Sequence, residues 1–143
     1  MGRINIGRLI LGGLVAGLVS DALGFLVDGK ILAERWSDGM AFLNHSQFSA
    51  MQWLWFNLVG LLGGMIGVWI YVAIRPRFGA GPLTAVFAGV AVWLLTSAIP
   101  NFQFMWVLGL FEHHLTIFTT LGALAEIVIG TVLGAALYQE VED

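Results

Sequence analysis

There is no cysteine in this chain, so disulfides, thiolate catalysis and cysteine-ligated metals are excluded at the outset. Charge is nearly as scarce. Only 10% of the 143 residues are charged, against about 25% in a soluble domain. Six lysines and arginines leave no basic patch for nucleic acid, and a net charge of −3 selects no other partner. Three prolines punctuate the whole length. What remains is 59% hydrophobic, with a mean hydropathy of +0.90. Four long apolar runs in so uncharged a chain predict a multi-pass membrane protein of one domain.

The four runs are expected as membrane helices over 6–27, 53–74, 83–106 and 115–138, an all-α four-helix bundle. The first follows a short basic start with Arg3 and Arg8 and exceeds a signal-peptide core in length, so it reads as an uncleaved helix. Residues 28–52 are more polar. Within them Leu32, Trp36, Met40 and Leu43 recur on one helical face, which predicts an amphipathic interfacial helix over 31–43. Asn44, His45, Ser46 and Gln47 form a turn into the second span, whose start carries Trp53 and Trp55 as interface anchors. Pro100 is expected to kink or fray the far end of the third span. Glu112, His113 and His114 read as an outer turn before the fourth span, and the tail from Gln139 to Asp143 is acidic.

The stretch Arg75-Pro76-Arg77-Phe78-Gly79-Ala80-Gly81-Pro82 separates the second and third spans. Pro76 predicts that the incoming helix stops at Arg75, and Pro82 suits the first turn of the next. Arg75 and Arg77 at the tip set topology. With Arg3 and Arg8 they outnumber Lys30 and Arg35, which predicts cytoplasmic termini in a plasma membrane. The run Trp69-Ile70-Tyr71-Val72-Ala73-Ile74-Arg75-Pro76-Arg77-Phe78-Gly79-Ala80-Gly81-Pro82, followed by Thr84-Ala85 and Ala88-Gly89, resembles a group of uncharacterised bacterial integral membrane proteins. The resemblance implies four membrane helices in a bacterial inner membrane. It implies no activity and no functional residue.

Nineteen glycines exceed what the loops need. Gly13 with Gly17, Gly60 with Gly64, Gly63 with Gly67, and Gly130 with Gly134 are each four apart, a spacing that lets helix backbones approach closely in lipid. Gly63, Gly67 and Tyr71 also match Gly130, Gly134 and Tyr138 at one offset, a hint of a duplicated hairpin. Polar residues share the glycine faces: Asp21 with Gly13 and Gly17, Asn57 with Gly60, Gly64 and Gly67, Glu126 with Gly122 and Gly130. With Asn101 on the third span, these four are candidates for a polar pocket open to the outside and floored by Glu126, with the interfacial helix as a roof. The bland alternative is a set of interhelical hydrogen bonds. Glu126 lies about 16 Å from the start of its span, a depth at which a charged acid costs about 2.5–3.5 kcal/mol.

His45, His113 and His114 are weak metal candidates, because adjacent histidines on a helix point about 100° apart and no ligand spacing is present. No cofactor is predicted, although one histidine can suffice for a tetrapyrrole, so that ligation stays open. No catalytic constellation appears, and an enzyme is not expected. Two functions remain: a structural or accessory subunit in a homo-oligomer or larger membrane complex, or a small proton-linked transporter or channel using Glu126 and Asp21. The lipid bilayer is the partner common to both.

Overall fold

The computed structural model describes residues 4–45 and 48–140, so Arg3 of the basic start, Ser46 and Gln47 of the turn, and Val141 to Asp143 of the tail lie outside the described residues. The described chain is all-α, with no strand among the described residues. Helix α1 spans Ile6–Leu26 and continues as a wide π-helical turn over Val27–Ile31. The short α2 covers Ala33–Phe42, α3 Ala50–Phe78, α4 Pro82–Trp93 and α5 His113–Ala136. Beyond Trp93, α4 runs on through π-helical segments Leu94–Ala98 and Asn101–Val107. Four helices, at Ile6–Ile31, Ala50–Phe78, Pro82–Val107 and His113–Ala136, are long and apolar enough to cross a bilayer. The protein is a multi-pass membrane bundle.

The helices sit in a ring, α1 beside α3, α3 beside α4, α4 beside α5, and α5 back against α1. Glycine makes the α1 contacts possible. A Cβ on Gly13 would lie 2.7 Å from Met65 Cα, and one on Gly17 2.5 Å from Leu61 Cα, so α1 meets α3 backbone to backbone. Gly64 answers from α3 against Gly17 and the Gly13 carbonyl. On its other face α1 meets α5, with Gly12 against Gly134 and the Ala16 carbonyl against Gly130. Gly67 faces Thr131 across the diagonal. Gly63 meets nothing within 4 Å where its offset partner Gly130 is pressed onto α1, so the two hairpins use their matching residues differently. Tyr71 and Tyr138 do pair, edge to face, with centroids 6.4 Å apart.

Two local expectations change, and a third takes a definite form. Helix α3 runs through Pro76 to Phe78 and does not stop at Arg75. The proline removes one hydrogen bond to the Val72 carbonyl, in the last turn, where the loss is local. Gly79 ends the helix, at φ +84°, and its N–H closes on the Arg75 carbonyl at 2.9 Å. His113 and His114 begin α5 and do not form an outer turn. The third span widens into π turns on both sides of Pro100, whose missing N–H leaves the ladder to reorganise around it.

Helix α2 turns the expected Leu32, Trp36, Met40 and Leu43 face inward onto the bundle end. Leu32 is buried with Met105 and Leu115, and Trp36 and Phe111 pack beside them at 5.2 Å, edge to face. Arg35 pairs with Glu112 across the gap. At the opposite end Arg75 pairs with Glu140 at 3.1 Å and lies 5.5 Å from the Tyr138 ring, while Arg77 is exposed.

Candidate functional site

The seam between α1 and α5 carries the chain's buried acid. On α1 the residues Gly12, Ala16, Ser20, Gly24 and Asp28 are spaced by four and share one face. On α5 the matching row is Gly122, Glu126, Gly130 and Gly134. The helices run antiparallel, so Gly12 meets Gly134, Ala16 meets Gly130, and Gly24 meets Glu126. Small residues bring the backbones together, and the polar ones fill what is left.

Glu126 is buried, with 8% of its surface exposed. Its carboxyl leans back along α5 into space that two glycines leave open. A Cβ on Gly24 would lie 3.2 Å from Oε2, and one on Gly122 3.3 Å from Oε1. Ser20 Oγ donates to the Glu126 backbone carbonyl at 3.1 Å, which pins the two helices at that level. Oε1 itself is buried without a hydrogen-bond partner.

Toward the α2-capped end, Val27 covers Gly122, and Asp28 follows. Asp28 Oδ1 accepts from Thr119 Oγ1 at 2.5 Å and from Trp36 Nε1 at 3.0 Å. One carboxylate therefore ties α1, α5 and α2 together. Asp28 is a residue that the pattern of polar candidates passed over, because it lies where the first apolar run gives way to a polar connector. The spacing of four from Gly12 to Asp28 is the signal that points to it.

The other candidates go elsewhere. Asp21 sits on the α3-facing side of α1, its carboxylate pressed against Gly60. Asn101 donates to Thr120 Oγ1 at 2.9 Å, and Trp93 Nε1 donates to the Thr120 carbonyl at 2.8 Å, so Thr120 joins α4 to α5. Asn57 is exposed and bonds only its own helix, at the Trp53 carbonyl, 2.7 Å away. Its face is the expected one, but α3 overhangs its neighbours here, with residues 50–59 all exposed. Asp21, Asn57, Asn101 and Glu126 thus do not converge on one pocket. The open groove of about 590 Å³ at this end lies between α2 and residues 109–115, lined by Glu34, Asp38, Phe42, Phe111 and Glu112.

His45, His113 and His114 are all exposed, and His113 stacks on Trp106 with centroids 4.1 Å apart. Among the described residues no three histidine or acidic side chains are grouped to hold a metal ion. No protein-family model, no curated protein and no solved structure matches the chain.

Proposed function

We propose that the chain is a structural or accessory subunit of a bacterial plasma membrane rather than an enzyme, with both termini cytoplasmic and a second copy or a larger complex as its partner. The observation that carries this reading is how the glycines are used. Among the glycines of the four described spans, Gly63 alone has open space where a Cβ would sit, with no neighbour within 4 Å. Gly13, Gly17, Gly60, Gly64, Gly67, Gly130 and Gly134 are consumed by the chain's own packing. A small residue on a lipid-facing helix surface admits a close helix from another chain. Large apolar neighbours, Val59 at 64% and Leu62 at 53% exposure, flank it. The filled half of the bundle beyond Glu126, with Ala16, Val68, Tyr71, Ala88 and Tyr138 in one buried cluster, supports a packed subunit over a conduit.

The test is a pair of variants. Gly63→Leu is expected to leave thermal stability in detergent unchanged but to lose association, read as co-purification from native membranes and as cross-linked dimer. Gly64→Leu is expected to destabilise the monomer itself. Intact association in Gly63→Leu overturns the reading. The second reading, a proton-linked transporter or channel, is favoured by one observation, the partnerless oxygen of Glu126.

A further inference from the structure

The α1–α5 seam holds two acids, and the one base on its row, Arg8, is exposed about four turns away at the far end. Asp28 Oδ1 takes two donors, the Thr119 hydroxyl and the Trp36 indole. One carboxyl oxygen can accept both, so Asp28 is satisfied where it stands. Glu126 has no such partners at Oε1. It is 8% exposed, and no donor reaches Oε1. A buried ion without donors costs several kcal/mol, far more than a buried neutral acid.

The charged groups around Glu126 offer no compensation. Asp28, four residues on from the Gly24 that meets Glu126, is itself an acid and brings no donor. Asp21 faces α3 instead. Helix α4 and its extension carry no charged residue, α5 carries none besides Glu126 apart from its initial histidines, and the α3 cations Arg75 and Arg77 lie at the far end. On the capping side, Lys30 lies over the Phe25 ring at 5.3 Å and is exposed. Arg35, the α2 cation, is taken by Glu112, and Glu34 and Asp38 are exposed acids on the same helix.

The geometry points to Glu126 as a proton-binding site, loaded from the α2-capped end of the seam. One O–H bond forms on the carboxyl when the proton arrives and breaks when it leaves to water, and no other bond changes. The carboxyl leans toward that end because side chains on a helix tilt toward its N-terminus. Gly24 and Gly122 leave the space it occupies, and Val27 is the side chain over Gly122 on the way to Asp28. On the other side Ser20 and the Ala16–Gly130 contact close the seam. Proton binding here is independent of any partner at Gly63, so the two tests fail separately.

The experiment is labelling of the full-length protein in detergent with dicyclohexylcarbodiimide, a hydrophobic reagent that adds to protonated carboxyls in apolar surroundings. The expected result is one adduct, mapped by mass spectrometry to Glu126, that declines as pH is raised. It is absent in Glu126→Gln and retained in Asp28→Asn. Gel filtration checks that the variants fold, and should Glu126→Gln not fold, the wild-type map still decides. An adduct on Asp28 in place of Glu126, or none at any pH, overturns the proposal. So does slower labelling when sodium replaces choline at constant pH, which would make a metal ion and not a proton the ligand.

Discussion

Gly12 and Gly134 stand so close that a methyl group on either would run into the carbonyl oxygen of the other. Backbone cannot step aside as a flexible side chain can, so the contact is intolerant at the scale of a single carbon. Gly134→Ala is expected to destabilise the bundle by about 1–3 kcal/mol, the usual cost of overpacking, measured as a lower melting temperature in detergent. Gly63→Ala, with open space around it, is expected to lower nothing. Equal melting temperatures for the two variants would show that the α1–α5 contact is looser than described. The polar residues obey the same logic of neighbours. Trp93 and Asn101 matter through Thr120, which gives one its carbonyl and the other its hydroxyl, whereas Asn57 has the right spacing and no neighbouring helix to use it on.

Helix ends are where the sequence and the structure part. The four spans were legible because apolar length is a property of the chain alone, and the glycine stripes were legible because a spacing of four defines a face whatever lies opposite. Pro76 misleads because its restriction on Arg75 is a preference, whereas the glycine three residues on supplies the stop. Gly79 adopts φ +84° and ψ +163°, a conformation open essentially to glycine only. Gly79→Ala is therefore expected to cost about 1–3 kcal/mol and to loosen the hairpin, seen as faster amide exchange over residues 75–82. Pro76→Ala restores a hydrogen bond and is expected to slow that exchange. If Pro76→Ala instead extends α3 past Phe78, the glycine is not what ends it. Asp28 was half legible: the spacing of four gives its face, but not what it bonds. Its partners Thr119 and Trp36 come from two other helices, and only the π turn at Val27–Ile31 places it over the bundle end.

For the whole molecule, orientation rests on arginines clustered at one end of the bundle. A reporter fused after Asp143 is expected to be cytoplasmic and one inserted beside Asn44 external, since basic loops are retained inside. An external carboxyl terminus overturns this. The ring of helices also has a consequence for how the protein is made. Helix α1 leaves the ribosome before α5, yet Gly24 finds its neighbour only on α5, and Ser20 bonds a carbonyl 106 residues later in the chain. Until α5 is inserted, that side of α1 faces lipid with its backbone bare and its serine unmatched. The nascent hairpin of α1 and α3 is thus an open half-ring, and α5, the fourth of the described spans, is the one that shuts it.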